Sequence, residues 1–158
     1  MKDVVEELAQ MISDTEYVYT HAWEVCTGRA VISATEKPLR QRDKTVNESE
    51  REIRRMLVEH LTLNPKQDVS GCLAIMTMAK DAERVGDLAK EIFKLGVRLD
   101  GKVSELKYYE RAAEVQQRLA ANFPRLQRAI RESSEEIAHE IFEAYNEIKP
   151  LVQKLLDD

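Results

Sequence analysis

Apolar residues recur along this chain in steps of three and four with few interruptions, the rhythm of helices that bury one face. The most regular stretch runs from Cys72 to Val97. Its inward positions are Cys72, Ile75, Ala79, Ala82, Gly86, Ala89, Phe93 and Gly96, a seam of mostly small residues. Small side chains let a neighbouring helix approach closely. A glycine inside a helix loses roughly 1 kcal/mol against alanine, so Gly86 calls for a compensating contact. This helix is expected to be the element around which the others are arranged.

Upstream, Asp3 is an expected N-cap for a first helix reaching about Thr35. Val4, Leu8, Met11, Thr15, Val18, Ala22, Val25 and Arg29 or Ala30 form its inward stripe, with Gly28 inside the pattern. His21 and Trp23 lie near this stripe, where packing accounts for both. Glu36-Lys37-Pro38 is expected to break the helix, because proline disfavours helical geometry in the residue before it. A second helix then runs from about Leu39 or Asp43 to Leu63, with Val46, Ile53, Met56, Leu57, His60 and Leu61 as core. Asn64-Pro65 ends it, and Asp68 caps the third.

Leu99-Asp100-Gly101 closes the third helix, and from about Val103 the pattern is helical to the end. Pro124 is one possible interruption; Ser133 with Glu136 ahead of Ile137 reads as a capping box and is another. The stripe Ala112, Val115, Leu119, Phe123, Leu126, Ile130 continues past the proline, which favours Ser133 as the break. Pro150 is expected to bend the last helix. With no low-complexity linker, residues 1–158 are expected to form a single all-α domain, an antiparallel helical bundle of about five helices. A long helix followed by a shorter acidic one occurs twice, which hints at duplication.

Composition narrows the functional classes. Charged residues make up 34% of the chain and the net charge is −5, with basic residues interleaved among acids. That argues against a nucleic-acid surface. Cys26 and Cys72 fall on apolar faces and read as buried reduced thiols, as in a cytoplasmic protein. The charged start MKDVVEELAQ lacks a signal peptide's apolar core, and no run approaches membrane-spanning length. Neither a nucleophile–base arrangement nor a phosphate-cradling glycine loop is visible, so an enzyme is not expected.

The candidate chemistry is carboxylate chemistry. Glu83 and Asp87 stand four apart, beside the seam of the third helix, and are therefore surface neighbours. The same spacing recurs at Glu110 and Glu114, Glu136 and Glu140, and Glu143 and Glu147, so it carries little alone. The second helix adds Asp43, Asn47 and Glu50 at the i, i+4, i+7 positions of one face. Acids at positions that continue an apolar seam need a partner, since a buried unpaired charge is very costly. One solution is a metal ion held between Asp43, Asn47 and Glu50 on one helix and Glu83 and Asp87 on the next, as in bundle metal sites. The other is salt bridging to Arg40, Arg42, Arg51, Arg54, Arg55 and Arg84. Spacing leaves both open.

The string DAERVGDLAKEI at 81–92 closely resembles the "ERxGD" signature helix of the PhoU family. DKTVNESEREIRRMLVEHL at 43–61 resembles that family's second helix, at a fitting separation. Positions 3–97 thus resemble one three-helix, spectrin-like repeat, and 103–157 an incomplete second one. The resemblance implies a cytoplasmic protein acting in phosphate uptake and phosphate-responsive signalling, through a phosphate transporter and a sensor histidine kinase. It also implies metal binding through E/DxxxD motifs: Glu83 and Asp87 match one, and Asp43 with Asn47 the other. The expected metal is iron, zinc, nickel or a magnesium-type ion, with Asn47 departing from the acidic pattern. The shortened bundle is expected to form a homodimer. The alternative is a metal-free helical interaction module, accessory to another anion transporter.

Overall fold

The computed structural model describes residues 1–64 and 69–157. Among these the architecture is all-helical: α1 (Lys2–Cys26), α2 (Ile32–Leu63), α3 (Val69–Arg98), α4 (Tyr109–Ala120), α5 (Asn122–Glu132) and α6 (Glu135–Asp157), with a 3-10 turn at Lys102–Glu105. Only Ala121, itself in the right-handed helical region, separates α4 from α5. The two form one nearly continuous rod, and the bundle has the five rods expected of it.

The centre is α1, not α3. Helices α2, α3 and α5 all pack against α1, so residues around much of its circumference are buried. The expected stripe Val4, Leu8, Met11, Thr15, Val18, Ala22 and Val25 is buried throughout, and Ala9, Ile12, Tyr19, Trp23 and Cys26 are buried beside it. Periodicity locates one inward face of a helix but does not count the helices laid against it. Two apolar clusters result. Leu8, Met11, Val46, Ile53, Leu57, Cys72 and Ala79 belong to one; Val18, Ala22, Val25, Leu39, Ala89 and Phe93 belong to the other. Between them the Thr15 hydroxyl donates to the Met11 carbonyl at 2.9 Å and reaches the Ala82 carbonyl at 3.5 Å.

The first reversal falls at Gly28 rather than at Pro38. Gly28 has φ +71°, its N–H donates to the Val25 carbonyl, and the Arg29 N–H donates to that of Glu24. This Schellman arrangement satisfies the carbonyls at the end of α1. Pro38 then lies inside α2, where its missing N–H forfeits one helical hydrogen bond. Burial of Thr35 and Leu39 on either side keeps the helix in place through that defect. The stop expected at Pro65 and the cap at Asp68 lie outside the described residues.

The α3 seam is as expected: Cys72, Ala79, Gly86, Ala89, Phe93 and Gly96 are buried. The tightest approach is at Gly96, where a Cβ would stand 2.6 Å from the Cys26 Cα and 2.8 Å from its nitrogen. At Gly86 a Cβ would meet Val46 Cγ1 at 3.7 Å, an ordinary contact. Gly96 therefore sets how near α1 and α3 can come.

Beyond α3, Asp100 and Gly101 both take positive φ and end the helix where expected. Helix α4 begins at Tyr109, later than the expected Val103, because the 3-10 turn intervenes. Pro124 stands in the first turn of α5, where its missing donor costs little. A second break follows at Ser133, which has φ +49°. The cap is supplied one residue later than the expected capping box, with the Ile137 N–H donating to Ser134 Oγ at 3.3 Å. Helix α6 runs through Pro150. Phe123, Leu126 and Ile130 lean on the α1–α3 core, while α6 packs on α4 and α5.

Candidate functional site

The face shared by α2 and α3 gathers the carboxylates singled out by their spacing. These helices run antiparallel, so that Gly86 lies against Val46 and Asp43; the Asp43 carboxylate is 4.0 Å from where a Gly86 Cβ would be. The small seam of α3 thus brings an acid from α2 close to the α3 backbone. The Asp43 side chain is only 16% exposed, so its charge is poorly solvated and needs a cation.

Lys90 supplies it. One turn beyond Gly86, its Nζ lies 3.0 Å from Asp43 Oδ1, 3.1 Å from Asp43 Oδ2 and 2.7 Å from Asp87 Oδ1. A single ammonium therefore joins a carboxylate from each helix. Burial alone would lower the Lys90 pKa, but hydrogen bonds to Asp87 and Asp43 outweigh it and raise it above the usual lysine value. Asp87 stands at the solvent edge of this bridge, half-exposed.

The other expected ligands have partners of their own. Glu83 is paired with Lys80 at 2.6 Å, and Glu50, though buried, is paired with Arg54. The Asn47 amide nitrogen donates to the Asp43 backbone carbonyl at 2.8 Å, leaving its oxygen as the remaining polar atom. Among the described residues, no group of three or more His, Cys, Asp or Glu side chains is arranged to hold a metal ion. Asp43 and Asp87 are brought together, with an ammonium already between them. Glu50 and Glu83 are paired with cations of their own helices, and Asn47 is bonded to the Asp43 backbone. As a donor set this is an ion pair with one lysine, and it does not fit a metal cluster.

Spacing missed two features. Lys90 could have been found as the basic residue three positions after Asp87, on the side of α3 that faces α2. Asp14 is buried in α1 and paired with Arg42 of α2, while the Arg42 guanidinium also lies over the Tyr17 ring, 5.2 Å from its centroid. An acid beside the long α1 stripe was the available signal. Arg40, Arg55 and Arg84 pair within their own helices, with Glu36, with Glu52 and Glu59, and with Asp81.

The remaining candidates have structural surroundings. His21 Nδ1 lies 2.9 Å from the Tyr17 carbonyl and its ring stacks on Tyr17; Trp23 stacks on Tyr109. Cys26 and Cys72 are free and buried, and burial pushes the Cys26 thiol up, away from reactive thiolate. Glu143 and Glu147 are exposed, near His139 and Arg118 respectively. Among the described residues no helix is long and apolar enough to cross a membrane.

Neither a curated protein nor a solved structure matches the chain. A family model does, that of the PhoU domain, over residues 32–95. The matched segment takes in all of α2 and α3 as far as Leu95, the two helices whose carboxylates meet at Lys90; α1 and α4–α6 lie outside it. The helix pair that builds this site is thus the part of the chain that matches the PhoU domain model.

Proposed function

We propose that the protein is a PhoU-like regulator or adaptor in phosphate uptake and phosphate-responsive signalling. The observation that carries this reading is the PhoU domain at 32–95, which coincides with the close α2–α3 pairing. On this reading the chain carries out no chemistry. It works in the cytoplasm by docking on a phosphate transporter and its sensor histidine kinase, with no need to enter the membrane. The role of a metal ion in it would depend on displacing Lys90 from Asp43 and Asp87.

The apolar groove lined by α3 together with α4, α5 and α6 supports a homodimer. Val85 and Leu88 of α3 and Leu119 of α4 are exposed around one groove that also includes Phe123 and Ile141. Apolar surface of this kind is common at protein–protein contacts. Light scattering on the purified protein tests the dimer, which a monomer at all concentrations would refute.

The lysine-bridged pair favours a second reading, a metal-free helical module accessory to another anion transporter. Co-purification from cells expressing phosphate-transporter and kinase components separates the two. Capture of those components, together with altered phosphate uptake in cells lacking the protein, is the result expected of the first. Unchanged phosphate uptake and no capture would remove it.

A further inference from the structure

We propose that Lys90 is the resident cation of the α2–α3 carboxylate pair, standing where a divalent ion would otherwise be needed to hold Asp43 and Asp87 together. Three observations converge on this. First, the Asp43 carboxylate is nearly covered and faces the α3 backbone at Gly86, so it needs a positive partner there. Second, Lys90 Nζ is within 3.1 Å of both Asp43 oxygens and 2.7 Å from Asp87, a position equivalent to that of an ion bridging the two helices. Third, the other acids nearby are drawn off. Glu83 goes to Lys80 and Glu50 to Arg54, which leaves two carboxylates for one ammonium.

The lysine and a metal ion therefore compete for one position. An ammonium tethered by its own side chain is present at every concentration of free metal, and its hydrogen bonds must be broken before an ion can enter. Removing the charge leaves Asp43 and Asp87 facing each other without a cation, which destabilises the pair by repulsion and opens it to a hard divalent ion bound by oxygen. This concerns the carboxylate pair alone and stands independently of which transporter or kinase the protein serves.

The experiment is thermal unfolding of the full chain with and without Mn²⁺, after EDTA treatment. Its variants are Lys90→Met, which keeps the aliphatic stem, and the double variant Asp43→Asn with Lys90→Met. Lys90→Gln replaces the methionine if that variant does not fold. The expected result is a larger Mn²⁺-induced rise in Tm for Lys90→Met than for wild type, and loss of that rise in the double variant. Equal shifts in wild type and Lys90→Met, including no shift in either, would overturn the proposal. A rise that survives in the double variant would overturn it as well, because the ion would then be binding elsewhere.

Discussion

Leu8 and Leu119 are both leucines on inward stripes, yet the first is 0% exposed and the second 39%. The contrast extends to the two halves of the molecule. Helices α1–α3 close around two apolar clusters, with α1 covered by three neighbours. Neither α4 nor α5 contains a fully buried residue, and α6 has Ile148 alone. The amphipathic pattern of the rear helices is as clear as that of the front ones. The difference is in how completely each stripe is covered: α2, α3 and α5 enclose α1, whereas the groove lined by Leu119, Phe123, Leu126 and Ile141 stays open.

The strongest way to expose the difference is to shorten one leucine in each half. Leu8→Ala leaves a cavity with no room to relax and should cost about 2–5 kcal/mol in urea unfolding. Leu119→Ala removes a side chain already in partial contact with water and should cost about 0.5 kcal/mol. Comparable losses would show that the rear half is packed as tightly as the front. Amide exchange should follow the same division, faster in α6 than in α1.

Within the front half, the two seam glycines of α3 should behave in opposite ways. At Gly96 a methyl group would press on the Cys26 backbone, which cannot swing aside as a side chain can. Gly96→Ala should cost about 1–3 kcal/mol. At Gly86 the methyl would meet Val46 at ordinary contact distance. Gly86→Ala should gain up to about 1 kcal/mol from the better helix former. Chemical denaturation of both variants checks the pair, and a loss at Gly86 as large as that at Gly96 would contradict the assignment.

A further expected effect lies where the halves meet and depends on pH. Tyr19 of α1 sits against Phe123 of α5, with ring centroids 5.5 Å apart, and burial pushes its hydroxyl up to about 12 from an ordinary 10.0. An unfolded chain releases that proton first as pH rises, so the tyrosine's contribution is complete below pH 10 and declines towards pH 12. The stability of wild type relative to Tyr19→Phe should fall across that window. A difference that stays level from pH 9 to 12 would mean that α5 leaves this hydroxyl in water.

Much of this architecture is legible in residue order alone. The α1 stripe, the α3 seam, the close of α3 at Gly101 and the continuation of an apolar face past Pro124 are properties of local spacing, because a helix's faces depend on residues three and four apart. The turn after α1 was harder to place. Pro38 is a stronger breaker on average than Gly28, but a proline can be carried inside a helix pinned by buried neighbours, whereas Gly28 has the positive φ that the reversal uses.

The candidate site divides in the same manner. Sequence by itself determined that Asp43 and Asn47 share one helical face, that Glu83 and Asp87 share another, and that small residues lie beside the second pair. Only the tertiary structure decided that α1 is the central helix, that Gly96 rather than Gly86 sets the closest approach, and that Lys90 takes the place between Asp43 and Asp87. Lys90 and Asp43 are 47 positions apart. Periodicity along one helix carries no information about which side chain of another will face it; that follows from the packing distance and register of the two helices, which buried residues over the whole bundle establish together.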